Sequence, residues 1–542
     1  MLVALIDRVW ANTVLYLIGV ATAWSIRQYS SPLISSGLLV GATVVYLMNF
    51  IGHVEQERKI ENLGGHTAQL RTFSPWNISV LFQGITYARK SMNHIFWGLI
   101  FTRAGAGNHS HTAEVQAAGQ RIIFTRDEEN IKAILATQFQ DYGKGPQFRK
   151  DWGHFLGLSI FTTDGEIWHN SRTLLRPQFI KDRVSDLHTF EHHIQELLPM
   201  LAGDHDGATV RLDDLLFRYT LDAATGFLFG SGVGSLKNGE TEFALAFAEA
   251  QRVQSIIARA GPMNGLVPRK SFNEAVKILN EFTGRFIDEA LALPQHELEK
   301  KTKSDEGFTF LHALAGYTRD RTILRDQLVA VLLAGRDTTA CTLSWLFYEL
   351  STHPEIVKKL RQEILSVVGP NEEPTYDHLK AMRYLTHTMN ETLRLYPVVP
   401  YNVRVALKDT TLPHGGGPDG LQPIGITEGT PIGYSTFVMQ RREDIYPSAK
   451  EGFPDPKQFV PERWEGWTPK AWTYIPFNGG PRICIGQQFA LTEMAYTVVR
   501  ILQTYDTVSF YRKNEKFPGT KADIVLQPAD GVFVAFKKAS RS

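Results

Sequence analysis

The chain has 542 residues, 57 lysines and arginines against 56 aspartates and glutamates, and a net charge of +1, a balance that argues against nucleic acid as a partner. Its two cysteines, Cys341 and Cys484, supply neither a disulfide framework nor a zinc site, and such scarcity fits a reducing compartment. The length allows several domains, yet no solenoid repeat, Gly/Ser linker or low-complexity tract divides the chain after residue 120, so one large unit is expected.

The first elements are apolar. Val9 to Ile26 is uncharged and lies between Arg8 and Arg27, and Pro32 to Gly52 is free of charge. Both reach the length of a membrane span. Two readings stand: a pair of transmembrane helices, or a single one preceded by a cleavable signal ending near Ala21-Thr-Ala23. In either case the part after Gly52 faces the cytosol. Arg58 and Lys59 fit the positive-inside rule, whereas Arg27 fits it poorly for a hairpin. Residues 1–52 are therefore expected to form a membrane anchor. Residues 53–119 are expected to form a linker and a membrane-facing access region, carried by the aromatic-rich Phe73 to Phe101 with Trp76 and Trp97; a plain helix pair explains that stretch equally well. Alternation in Gln120-Arg-Ile-Ile-Phe-Thr125 predicts a strand, which opens the main domain, residues 120–542.

Helical pattern dominates from Asp127 to Val368. In Trp168-His-Asn-Ser-Arg172 the indole and the guanidinium lie on one helix face, and both donate to an anion, the arginine in a fork. A surface cation–π pair is the plain alternative. Ala334-Gly-Arg-Asp337-Thr338-Thr339 sits inside a long apolar helical stretch from about Asp326 to Leu350. A mid-helix hydroxyl bonds back to the preceding turn and bends the helix, and Gly335 removes bulk beside it, so a groove is expected there. In Asn390-Glu391-Thr-Leu-Arg394-Leu-Tyr-Pro397 the acid and the base share a helix face that ends at Pro397. An exposed pair of this kind is worth little. Pro/Gly-rich loops with short strands follow to Trp472, and they contain the strand-like Asn402-Val-Arg-Val405 and the segment Pro461-Glu462-Arg463-Trp464. The fold class is mainly α with a small β region.

The most specific element is the last. Phe477-Asn-Gly-Gly480-Pro-Arg482-Ile-Cys484-Ile-Gly486 presents one cysteine among glycines and an arginine, with the spacing Phe-x-x-Gly-x-Arg-x-Cys-x-Gly, ahead of the helix-like Gln487 to Ala495. A lone thiolate is a suitable axial ligand for haem iron. Gly480 and Gly486 let the backbone pass close to a flat macrocycle. Cys341, inside the apolar helix after Thr339, reads as packing.

These four signatures, running in order from Trp168 to Gly486, resemble cytochrome P450, the haem-thiolate monooxygenases, and the resemblance covers nearly all of the chain after the N-terminal segment. It implies the cytochrome P450 fold, a single large haem-thiolate catalytic domain behind the anchor. The cofactor would be a b-type haem (iron protoporphyrin IX) ligated by Cys484 and framed by Phe477 and Gly486. The haem propionates would fall to Trp168, Arg172, Arg404 and Arg482. Thr338 and Asp337 would act in oxygen activation and proton delivery. Glu391 and Arg394, completed by Arg463, would be structural, a glutamate shared between two arginines through bidentate bonds. Val329, Leu333, Ala334, Val398, Val399, Tyr401 and Leu526 would line the substrate pocket, although core packing explains valine and leucine equally well.

No flavin or nicotinamide fingerprint accompanies these segments, so electrons must come from a partner. The resemblance implies a membrane-bound NADPH-cytochrome P450 reductase, with cytochrome b5 as an optional second donor, docking near Cys484 where Arg176 and Lys470 could steer it. It also implies the endoplasmic reticulum membrane. Phe477 to Ala490 and Ala334 to Ala340 look most like the fungal alkane- and fatty-acid-hydroxylating branch, which implies terminal hydroxylation of long-chain fatty acids or n-alkanes with O2. Two departures stand: Gly479 where alanine is expected, and no clear proline-rich hinge after the anchor. Two other readings remain open, the same enzyme class on an aromatic or secondary-metabolite substrate, and a haem-thiolate isomerase or haem binder. The Asp337-Thr338 pair argues against the latter.

Overall fold

A computed structural model describes residues 2–539 apart from 30–31, 71, 73, 75–76, 106–110, 118–119, 180–186, 240, 304–308, 448–450 and 512–516. Phe73 and Trp76 lie outside the described residues. The chain divides into two compact units, residues 1–143 with 401–439, and residues 144–400 with 440–542.

In the first unit both apolar N-terminal segments are helical, α1 (Leu2–Tyr29) and α2 (Pro32–Asn62). They pack side by side, with the Tyr16 and Tyr46 rings 5.0 Å apart and the hydroxyls of Thr13 and Thr43 each 3.3 Å from a tyrosine hydroxyl across the pair. Among the described residues one helix, α2, is long and apolar enough to cross a membrane. It does not stop at Gly52: its polar C-terminal turns continue to Asn62.

A six-stranded sheet completes this unit: β1 (Ala68–Leu70), β2 (Thr112–Ala117), β3 (Gln120–Thr125), β4 (Tyr142–Gly143), β5 (Asn402–Ala406) and β6 (Pro431–Tyr434), in the order β1-β2-β3-β6-β5-β4. The strand expected at 120–125 is present. Its antiparallel partner is 112–117, with Val115 opposite Ile122, so the boundary expected at 119/120 falls inside a hairpin. The reason is hydrogen bonding, since a buried strand needs a ladder on its flank and residues 68–70 and 112–117 supply it instead of forming a linker. Helices Ile78–Arg89 and Asn93–Arg103 account for the aromatic-rich stretch, and Trp97 stacks on Tyr401 with centroids 6.5 Å apart.

The end of α2 is pinned to the sheet by charge. His66 sits between Glu57 of α2 (2.8 Å) and Glu114 of β2 (2.9 Å), and Arg121 of β3 donates to Glu114 (2.9 Å) and to the Gly425 carbonyl (2.8 Å). Burial alone would discharge the imidazole, but the two carboxylates outweigh it and raise His66 to about 9. Burial also opposes ionisation of Glu114, yet Arg121 and His66 hold that carboxyl down at about 2. Gln56 reaches Thr427 (3.2 Å) and Lys59 pairs with Asp409 (3.1 Å).

The second unit is helical: α3 (Gly165–Leu175), α4 (His188–Leu201), α5 (Leu212–Phe229), α6 (Arg321–Thr352), α7 (Arg383–Leu395) and α8 (Gln487–Thr504) carry the residues that matter below. The long apolar helix expected from sequence is α6. It is apolar on almost every side because it is buried on almost every side. The Asp320 side chain caps it, accepting from Thr322 N (2.8 Å) and Ile323 N (3.1 Å), and Pro354 follows its end. Its Leu324 and Leu328 pack in a core that includes Phe155, Phe247 and Phe272.

Removing one member of the buried His66 cluster leaves its partners unpaired, so His66→Ala is expected to cost about 3 kcal/mol or more. A raised imidazole contributes fully below its ordinary value of 6.5, and that contribution is lost as pH rises through about 9. The gap between the thermal midpoints of wild type and His66→Ala should therefore narrow across that window.

Candidate active site

The chain from Ile475 to Gly486 folds back on itself. Asn478 N donates to Ile475 O (3.0 Å), Ile483 N to Gly480 O (3.0 Å) and Cys484 N to Phe477 O (2.9 Å). The reversal needs a left-handed backbone at Gly480, φ 64°, which glycine adopts at no steric cost. Glycine at 479 has a different reason: a Cβ there would stand 2.5 Å from the Trp472 ring, so the alanine expected from the resemblance does not fit. The loop delivers an accessible Cys484 thiol just before α8, while Cys341 is fully buried. Close protein packing pushes the Cys484 thiol up, and the Gly486 N–H and the Arg172 charge act in the opposite direction.

Three of the four expected anion donors gather round this loop. Arg172 of α3 donates to Ile483 O (3.0 Å). The Arg482 guanidinium lies 4.6 Å over the Trp168 ring. It donates to the Asp164 carboxylate (2.6 Å) and to Thr163 O (2.9 Å). Asp164 is a site residue that the sequence reading missed, although an aspartate before a glycine at a helix start was a visible signal. It accepts from Lys144 N (2.8 Å) and Gly145 N (2.8 Å) instead of capping α3. Arg404, the fourth donor, belongs to the first unit. It is buried in β5, donates to Asn402 Oδ1 (3.0 Å) and Val403 O (2.9 Å), and lies 5.9 Å from the Tyr434 ring centroid.

The structural trio differs from expectation in one respect. Arg394 grips Glu391 bidentately, Nε to Oε2 (2.8 Å) and Nη2 to Oε1 (2.7 Å). Arg463 Nε stands 3.5 Å from the same carboxylate, an ion-pair distance and not a second bidentate grip. Glu391 is completed by Trp464 Nε1 (3.0 Å) and Val460 N (3.0 Å). The Arg463 fork is occupied by carbonyls, those of Pro447 (3.0 Å), Pro454 (3.0 Å) and Asp455 (3.1 Å). A loop without regular structure exposes its carbonyls inward, and these must find donors.

Between Leu328 and Phe347 on α6 every residue is buried except Val331, Ala334, Gly335 and Thr338. Their spacing of three, four and seven makes one stripe on one helix face. This half-buried stripe lies where the groove is expected, and it includes Val331, which also packs against the core. Thr338 Oγ1 donates to Ala334 O (2.7 Å), the back-bond a mid-helix threonine makes, and Gly335 leaves room, with only an Ala224 methyl 3.8 Å from a notional Cβ. Asp337 does not share that face. It is buried, 3.2 Å from Arg336 Nη1. Burial raises its carboxyl above the usual range, and Arg336 partly opposes the rise.

Of the expected pocket residues, Ala334 lies on the stripe. Val329 and Leu333 are packed in the core of the second unit instead. Val398 is sealed with Cys341 and Val525. Leu526 is fully buried, its N–H on Val398 O (2.9 Å) and its carbonyl accepting from Trp345 Nε1 (3.1 Å). Val399 is exposed. Tyr401 belongs to the first unit, its ring against Trp97 and Phe124 and over Gly433. Val329, Leu333 and Leu526 are core because their helix or strand phase turns them inward, and Val398 is sealed in the bend that follows α7.

The donor set suits a haem. It offers a soft, accessible sulfur with an N–H and a cation behind it, two guanidinium groups and an indole for carboxylates, and a helix stripe of small residues. The comparisons agree with this chemistry. The Cytochrome P450 family model matches residues 101–535. Cytochrome P450 monooxygenase pvhE of Talaromyces variabilis is 48% identical over 507 residues, which span 90% of this chain and 93% of the relative. Cytochrome P450 52A13 of Debaryomyces hansenii is 41% identical over 444 residues, spanning 78% and 83% of the two chains. Cytochrome P450 52A1 of Candida tropicalis is 42% identical over 444 residues, spanning 78% and 79%. The chain thus belongs to the cytochrome P450 family, monooxygenases that carry a b-type haem on a cysteine thiolate and use O2 to oxidise hydrophobic substrates.

Proposed function

We propose that this membrane-anchored enzyme hydroxylates the terminal carbon of long-chain fatty acids or n-alkanes, with Cys484 as the thiolate that holds its haem. One observation carries the thiolate assignment: of the two cysteines, Cys484 is accessible and has the Gly486 N–H and the Arg172 charge beside it, whereas Cys341 is sealed in the core. The substrate class is supported by the resemblance of Phe477 to Ala490 and Ala334 to Ala340 to the fungal alkane- and fatty-acid-hydroxylating branch, and by the 52A relatives being cytochromes P450 over most of this chain.

When bound, the haem supplies the iron at which O2 is reduced and one of its oxygen atoms is transferred. Trp168, Arg172 and Arg482 would hold its propionates, and Phe477 and Gly486 would border it. Thr338 Oγ1, while donating to Ala334 O, keeps its lone pairs toward the stripe and accepts a hydrogen bond there. Asp337, whose carboxyl is raised by burial and lowered again by Arg336 beside it on the buried side of α6, would take part in proton delivery. Glu391, Arg394 and Arg463 touch no reacting atom and keep the cysteine loop in place.

Electrons would come from an NADPH-dependent reductase, with cytochrome b5 as an optional second donor. The compartment is the endoplasmic reticulum membrane with the catalytic part on the cytosolic side, a placement supported by Arg58 and Lys59 after the apolar run of α2.

In the reduced carbon monoxide complex, Cys484→Ala should lose the thiolate Soret band and Cys341→Ala should keep it; an intact band in the first variant would sink the assignment. Thr338→Ala should still consume electrons while product per electron pair falls roughly tenfold or more, and undiminished coupling would remove Thr338 from the proton path. Titrating the haem-loaded protein with fatty acids and alkanes of graded length should give a saturable low-to-high-spin shift that peaks at one length. No shift across the series would place the substrate outside linear aliphatics.

A further inference from the structure

Helix α4 carries His192-His193-Ile-Gln-Glu196, two adjacent imidazoles and a carboxylate that follows them at i+4 and i+3. Both spacings place partners on one helix face, so Glu196 comes up beside both rings. Its Oε1 stands 3.6 Å from His192 Nε2 and its Oε2 3.7 Å from His193 Nδ1, and the two rings meet edge to face with centroids 4.9 Å apart. None of the three has a part in the chemistry above.

These separations are too long for hydrogen bonds. They suit a metal instead: donors placed roughly 2.0–2.1 Å from a tetrahedral zinc ion stand about 3.3 Å from one another, within a small rotamer adjustment of both distances. Among the described residues this is the one group of three His, Cys, Asp or Glu side chains whose ligand atoms all lie within 4.8 Å of one another.

His193 adds an independent sign. It is 5% exposed, and its Nδ1 is buried with no hydrogen-bond partner, a costly state for a polar group. The ring lies in a slot cleared by two glycines: a Cβ at Gly226 of α5 would stand 3.2 Å from Nε2, and one at Gly232 would stand 2.9 Å from Cε1. That slot holds Nδ1 toward Glu196. On the other side His192 is exposed and leaves an entry path from solvent. Lys237 of the short helix Ser235–Asn238, itself exposed, pairs with Glu196 Oε1 (2.6 Å). An ammonium thus meets the carboxylate's need for positive charge, and a divalent ion would compete with it for the same oxygen.

We propose that His192 Nε2, His193 Nδ1 and the Glu196 carboxylate form a binding site for one borderline divalent transition metal, zinc being the best match, with water in the fourth position. Two imidazoles select against magnesium and calcium, which take oxygen ligands. The site rests on none of the roles assigned above to the haem residues. Loading it would exchange the Lys237–Glu196 tie between α4 and Ser235–Asn238 for a metal held by α4 alone.

The test is equilibrium dialysis of the full-length, haem-loaded chain, first stripped with a chelator, against zinc chloride, with bound zinc counted per haem iron by elemental analysis. Wild type should take up one zinc per haem in a saturable step that excess magnesium leaves unchanged. His192→Ala and His193→Ala should each weaken uptake roughly tenfold or more, and His192→Ala, at an exposed position, covers the case in which the buried variant fails to fold. Lys237→Met should bind several-fold tighter, because the competing ammonium is gone, a gain that a plain surface ion pair would not produce. The thiolate Soret band of the reduced carbon monoxide complex checks that each variant is folded. Equal zinc uptake by wild type and both histidine variants, uptake that magnesium suppresses, or weaker binding by Lys237→Met would overturn the proposal.

Discussion

The second unit depends on one electrostatic obligation. Glu391 and Arg394 are both without solvent access, and a charge taken out of water must have its lost hydration replaced in full. Four donors converge on Glu391, two from Arg394, one from Trp464 and one from the Val460 backbone. Arg394 then spends its remaining N–H groups on the carbonyls of Gln440, Pro456 and Gln458. The Gln440 side chain donates back to the carbonyls of Leu393 and Arg394 and accepts from Ile475 N. One charged pair on α7 thereby organises a long irregular segment and hands its order on to the cysteine loop. Neither partner can leave without stranding the other, and an irregular segment has no ladder of its own to fall back on.

The site was legible in sequence wherever chemistry demanded a particular residue at a particular spacing. Cys484 among its glycines, the i,i+3 relation of Glu391 and Arg394, and the apolar continuity of α6 all survive translation into three dimensions because each depends on local geometry. Asp337 and Thr338 show the limit of that reasoning: adjacency suggested a joint site, but one step around a helix separates a buried carboxyl from a hydroxyl on the open face. Val329 and Val331 show it again. Both are valines in an apolar helix, and only the phase of α6 against its neighbours makes one fully buried and the other part of the half-buried stripe.

What could not be read was set by tertiary partners. Arg463 looked like a second ligand for Glu391, yet the inward-facing carbonyls of its own loop claim its fork. His66 had no signal at all, because its two glutamates come from a helix and a strand that meet only in the folded unit. Gly479 departed from the resemblance for a reason invisible locally, the Trp472 ring lying where a methyl would go. Residues 112–117, which taken alone looked like a linker, are likewise recruited by the pairing needs of the strand at 120–125.

The Glu391 network also has a consequence for the order of folding. Its bonds join residues far apart along the chain, 46 between Arg394 and Gln440 and 73 between Glu391 and Trp464. Contacts of such separation carry a loop-closure cost that must be met before they reward the chain. Helices of local origin, α6 and α7 among them, therefore form first, and the irregular segment settles onto them afterwards. The ligand loop lies at the far end of that segment and is shaped last, so the thiol takes its final presentation only once the walls around it are standing.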